Sequence, residues 1–172
     1  MVITDDAVHM RGEAGFDAFV RARSTALSRT AYLLTGDHHL AQDLVQAALM
    51  QAAKHWRRIH TSPEAYVRRA MYHQNISWWR RRKLAESPLA AHDGAAASAD
   101  TDLRLTLDQA LGRLTPKQRT VLVLRFYEDL TEVETARAIG ISLGTVKSTT
   151  RQALGRLRVL APELAELIGA DA

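Results

Sequence analysis

The sequence predicts an all-α protein built from two small helical domains, residues 12–83 and 103–165, joined by a flexible linker over 84–102. Three observations carry that expectation. Apolar residues recur three and four positions apart along most of the chain, while the two-residue alternation of strands is weak everywhere. The stretch LAESPLAAHDGAAASADTD between the halves is rich in Ala, Ser, Asp, Gly and Pro and has no sustained apolar period. Near the C-terminus, TEVETARAIGISLGTVKSTTRQAL has the anatomy of a helix-turn-helix.

The first helix is read from Phe16, Phe19, Val20, Leu27, Ala31 and Leu34, with Gly36 as its stop. Asp37 is placed to cap a second helix carrying Leu40, Ala41, Leu44, Val45, Ala48 and Leu49. Ser62-Pro63-Glu64 starts a third, because proline at the first helical position gives up no needed hydrogen bond, and this helix runs into WWRRRK. In the second half Leu107, Leu111 and Leu114 form one stripe, and Thr115-Pro116 restarts a helix with Val121, Leu122, Leu124 and Phe126. Thr131 and Glu134 have capping-box spacing. Ala136 supplies the small residue at a helix crossing, Gly140 the left-handed turn, Ile141 and Val146 the wedge, and Ser142 the cap of a last helix reaching about Leu160.

Composition bounds what such a chain does. Its 172 residues are 47% hydrophobic, enough for a packed core. It has no cysteine, hence no disulfide frame, thiolate metal site or cysteine nucleophile. The start, MVITDDAVHM, carries Asp5 and Asp6 rather than the basic-then-apolar order of a secretory signal, and no run approaches the ~18 apolar residues of a membrane span. A soluble, cytoplasmic protein without membrane contact is expected. The net charge is only +4, but residues 54–83 sum to +8 and residues 135–162 to +5, leaving the rest at −9. Two basic blocks in an otherwise acidic chain point to two contacts with a polyanion, more plausibly nucleic acid than membrane.

The last helix is expected to bury Val146, Thr150, Ala153, Leu157 and Leu160 and to present Ser148, Arg151, Gln152 and Gly155, flanked by Thr145, Lys147 and Arg158. That polar, basic face suits phosphates and base edges in a major groove. In the other block, Val67, Ala70, Met71, Gln74 and Trp78 share one face of the third helix, and Trp79 points ~100° away from Trp78. One indole is therefore expected at the surface beside Arg80 and Arg82, either stacking on unpaired bases or shielded by arginine stems at the core rim.

These segments together resemble the sigma factors of bacterial RNA polymerase, of the extracytoplasmic-function, SigE-like actinobacterial type, over roughly Phe16 to Leu160. DHHLAQDLVQAALMQAAKHW is similar to the family's acidic-apolar segment that docks on the polymerase clamp coiled coil, SPEAYVRRAMYHQNISWWRRRK to the segment that melts and reads the −10 element, and LTPKQRTVLVLRFYEDLTEVETARAIGISLGTVKSTTRQALGRLR to the winged-helix-like region 4 that reads the −35 element. The resemblance implies that Gln42, Asp43 and Gln46 bind core polymerase. It implies that Asn75, Trp78, Trp79, Arg80, Arg81 and Arg82 serve the −10 region, and that Arg57, Arg58, His60 and Thr61 lie in the loop that captures a flipped base. It assigns Thr145, Lys147, Ser148, Arg151 and Gln152 to the −35 duplex. Implied partners are core RNA polymerase, through its clamp and flap, and promoter DNA; an anti-sigma factor is a further partner the resemblance admits. Ala47 stands where many relatives have Glu, and Thr149-Thr150 replaces a common Arg-Leu pair.

No catalytic residue, cofactor or metal is expected. His38 and His39 are adjacent and His55 is distant, without an HExxH arrangement, a glycine-rich phosphate cradle or a GxSxG elbow. The alternative reading is a free-standing helix-turn-helix regulator that binds duplex DNA without polymerase.

Overall fold

A computed structural model describes residues 13–60, 62–85 and 107–162, and among these there are helices and turns but no strand. Helix α1 spans Glu13–Thr35, α2 His38–His55 and α3 Pro63–Ala85, with a short 3₁₀ turn, Trp56–Arg58, between the last two. Residues 107–112 form α4; α5 is Pro116–Leu122 and continues into a π-helical turn, Val123–Tyr127; α6 is Glu132–Ile139 and α7 Leu143–Leu160. Helix α3 runs two residues into the expected linker, the remainder of which lies outside the described residues.

The boundaries arise from local chemistry. Gly36 takes φ +73° and its N–H closes on the Tyr32 carbonyl at 2.7 Å, after which Asp37 accepts the Leu40 N–H at 2.9 Å. Ser62 accepts from the Ala65 N–H at 3.3 Å. Thr115 with Gln118, and Thr131 with Glu134, form reciprocal capping boxes, each satisfying two otherwise orphaned amides. Gly140 takes φ +67°, a left-handed turn that side chains resist, and Ser142 caps α7 through the Thr145 N–H at 3.1 Å.

In the N-terminal half α1, α2 and α3 pack on one another, burying Leu27, Ala31, Leu34, Leu44, Ala48, Val67 and Met71. Trp56 closes one end, meeting the Phe16 ring edge-on at 5.2 Å and Phe19 at 5.3 Å. In the C-terminal half Leu111, Leu114, Leu122, Ala153 and Leu157 form a second cluster, on which Leu33 of α1 also rests. The halves are not separate beads. Val121, Val123, Leu124, Ile139 and Val146 are continuous with the N-terminal core, and Asn75 and Tyr72 of α3 are buried with them.

Candidate nucleic-acid interface

The helix-turn-helix is α6, the Gly140 turn and α7. Val146 is fully buried and Ile141 packs against the same core, the wedge that fixes how α7 leaves the turn. The buried stripe of α7 is Val146, Thr149, Ala153 and Leu157. Thr149 replaces the expected Thr150, which is half-buried, and Leu160 is half-buried as well. The phase of the helix is otherwise as expected, with Val146, Ala153 and Leu157 inward, and Thr149 and Thr150 both satisfy the three-and-four spacing between Val146 and Ala153.

The opposite face keeps its expected character. Lys147, Ser148, Arg151 and Gln152 are exposed, Thr145 is half-exposed, and Gly155 is half-buried at the edge. Ser142 and Thr145 share a hydroxyl hydrogen bond at 2.8 Å, and Ser148 donates to the Thr145 carbonyl at 3.1 Å. The N-terminal turns of α7 thus present hydroxyls at a helix N-terminus, a set that suits a phosphate oxygen or a base edge. Sequence reasoning missed Glu132, which comes from α6 to 3.8 Å from the Lys147 ammonium. It lines an open groove with Thr150, Arg151, Leu154 and Arg158, so the recognition face carries one acid contributed by the preceding helix. The sequence signal was the acidic first turn of α6, in which the capping box accounts for Glu134 but not for Glu132.

The second basic block lies on α3 and the turn before it. Arg57, Arg58 and His60 are exposed and adjacent to the start of α3, while Thr61 lies outside the described residues. Trp78 and Trp79 are both half-buried, and Trp78 packs against the shared core. Arg80 and Arg81 are exposed; Arg82 is in the same helix, its side chain outside the described residues. Asn75 is placed differently from the other members of its proposed set. It is 8% exposed, in place of the half-buried Gln74 on the inward face of α3, and its amide donates to Thr120 Oγ1 of α5 at 3.2 Å. In this conformation Asn75 faces the C-terminal half rather than solvent.

Gln42, Asp43 and Gln46 are exposed on α2, opposite Ala41, Leu44, Val45 and Ala48. Met50, 56% exposed and one turn beyond Gln46, extends this strip with a flexible apolar side chain that sequence reading passed over. Among the described residues no group of three or more His, Asp or Glu is gathered as a metal would need, and no helix is long and apolar enough to cross a membrane.

Residues 19–85 match the family model described as "Sigma-70 region 2" and residues 110–159 the one described as "Sigma-70, region 4". The chain is 43% identical over 148 residues to the RNA polymerase sigma-E factor of Streptomyces avermitilis, covering 83% of each chain, and 43% identical over 151 residues to that of Streptomyces coelicolor, covering 83% of this chain and 84% of the relative. Among solved structures, the sigma factor RpoE in complex with the anti-sigma factor NepR from Bartonella quintana superposes with a TM-score of 0.67 at 23% identity, covering 92% of this chain and 99% of that one.

Proposed function

The chain belongs to the sigma-70 family, as an extracytoplasmic-function sigma factor of the SigE-like type that directs transcription initiation by RNA polymerase, and on that premise we propose how its residues divide the work. Gln42, Asp43, Gln46 and Met50 form the strip on α2 that meets core polymerase. Arg57, Arg58, His60, Trp78, Trp79 and the arginines after them hold and open the −10 element, and Asn75 joins them once uncovered. The face of α7 carrying Thr145, Lys147, Ser148, Arg151 and Gln152 anchors the −35 duplex.

One observation supports this division above all: the two basic surfaces sit on different halves, one beside half-buried indoles and one on a helix-turn-helix. Indoles among guanidiniums stack on unpaired bases, each stacked base contributing about 1–3 kcal/mol, whereas a basic helix following a tight turn fits duplex DNA. The bond-making chemistry belongs to the polymerase, and the protein works in the cytoplasm.

Run-off transcription tests this, with purified core polymerase and a template carrying the protein's own upstream region. Transcripts dependent on the chain, together with direct association with core polymerase, are expected. Tight binding to a symmetric duplex site with no association with the polymerase would overturn it.

A further inference from the structure

The acid on the recognition face is unexplained by the contacts assigned so far. A helix that approaches DNA gains from cations, since each neutralised phosphate adds affinity on any sequence. Residues 135–162 carry five basic side chains and no acid, yet α6 delivers Glu132 into the groove lined by Lys147, Arg151 and Arg158. Its neighbour Glu134 is engaged elsewhere, accepting from the Thr131 amide at 2.8 Å and the Thr131 hydroxyl at 2.7 Å. Of the three cations lining the groove, Lys147 is the one whose ammonium Glu132 reaches, at 3.8 Å, with 55% of the lysine and 35% of the glutamate side chain exposed. That separation exceeds a hydrogen bond, and an ion pair so exposed adds little to stability. An acid in the first turn of α6 is favoured by the helix dipole, but Glu134 supplies one as well. Folding alone gives little reason for a carboxylate opposite Lys147.

We propose that Glu132 is a specificity-determining residue of the −35 contact, which turns Lys147 from a phosphate binder into a reader of guanine. The inference rests on the reading of the chain as a sigma factor. A lysine has three donors on a flexible stem and, left to itself, swings to the nearest phosphate, a contact that is the same on every sequence. Glu132 changes that choice in two ways. It engages one side of the ammonium and so holds the stem across the groove. It also raises the cost of the phosphate contact, because moving there leaves its carboxylate unpaired beside a negatively charged backbone, whereas an uncharged base edge brings no such repulsion. The donors that remain suit two adjacent acceptors, and guanine alone offers these in the major groove, at O6 and N7. Lys147 stands with Thr145 and Ser148 in the first two turns of α7, the part of a recognition helix that meets base edges.

A double-mutant cycle tests this on the full chain bound to core polymerase, with Glu132→Gln, Lys147→Met and both together. Both side chains are exposed, so neither exchange is expected to unfold the protein. The probes are duplexes from the protein's own upstream region, with each base pair of the −35 element exchanged in turn and each guanine replaced by 7-deazaguanine, which lacks the N7 acceptor. The wild type is expected to favour guanine at one position by roughly five- to 150-fold, and to lose much of that preference on the 7-deaza duplex. Glu132→Gln should cut the preference by at least about threefold, bind the unfavoured duplexes more tightly, and steepen the salt dependence by about 0.9, the mark of one added phosphate contact. In the Lys147→Met background the same exchange should change neither preference nor slope. An equal gain on every duplex, with or without Lys147, would show an acid that merely repels DNA and would overturn the proposal. So would a guanine preference that survives Glu132→Gln intact. Failure of the wild type to associate with core polymerase would count against the sigma-factor reading, while the same cycle run with the chain alone on these duplexes would still decide the role of Glu132.

Discussion

Leu157→Ala separates a chain that folds as one unit from two tethered ones. Leu157 is 1% exposed in the C-terminal cluster with Leu111, Leu114, Leu122 and Ala153, and the N-terminal half touches that cluster through Leu33. Truncating it leaves a cavity and costs ~3 kcal/mol. If the halves unfold together, melting drops by about 2–4 °C per kcal/mol at this size, or roughly 6–12 °C. All three tryptophans, Trp56, Trp78 and Trp79, lie in the N-terminal half, so indole emission reports that half and, through Trp78, the core it shares, while far-ultraviolet circular dichroism reports every helix. The expected result is the same fall in both signals, although the substitution is in the other half. A circular-dichroism transition that moves while the tryptophan transition stays in place would refute the shared core as an energetic unit.

Arg151→Ala should weaken discrimination at one −35 position by ~1–3 kcal/mol if the guanidinium reads a base edge, measured by binding to a panel of duplexes; an equal loss on every duplex, with a salt slope reduced by about 0.9, would make it a phosphate contact. Trp79→Ala should slow promoter opening more than initial capture, and a fluorescent base in the −10 element that reports unchanged opening would refute the stacking role. The Glu134 carboxyl is held below the usual range by the Thr131 hydroxyl and backbone amide; its stabilisation is therefore complete above the ordinary glutamate range and lost as pH falls through the depressed value. The melting difference between wild type and Glu134→Gln should accordingly shrink below about pH 4, and a difference constant from pH 7 to 3 would contradict that linkage.

What was legible in the sequence was local. Asp37, Ser62, Thr131, Ser142, Gly36 and Gly140 announce their caps and turns because each acts within four residues of itself. The helix-turn-helix and its basic face follow from spacing alone. One position differed: Thr149 and Thr150 are chemically identical and both fit the helical spacing, so the sequence could not say which faces inward. The polar links between halves were illegible for a different reason. Asn75 to Thr120, Arg68 to Glu128, Leu33 to Arg119 and Thr30 to Glu128 join residues 45 to 98 positions apart, and a buried arginine in a helix looks in sequence like one more basic surface residue. Asn75 carries the same lesson in reverse, since its surroundings in sequence mark a DNA surface while the fold covers it.

The chemistry of that covering bears on what it is for. Exchanging buried ion pairs for apolar side chains of similar volume is often neutral or stabilising, so charge is not the cheapest way to fuse two halves permanently. Arg68, Glu128 and Arg119 are suited to something else. An arginine whose guanidinium must meet two carboxylates and one hydroxyl, and another that must reach one helix-end carbonyl beside one glycine, accept a single docking geometry, whereas an apolar patch tolerates slippage. When the halves part, each of these groups recovers its hydration, which offsets much of what the pairing contributed, while an apolar surface of the same area would be left exposed at full cost. The polar contacts therefore fix the geometry of the seam, while the shared apolar core of Val121, Val123, Leu124, Ile139 and Val146 carries the cost of parting the halves.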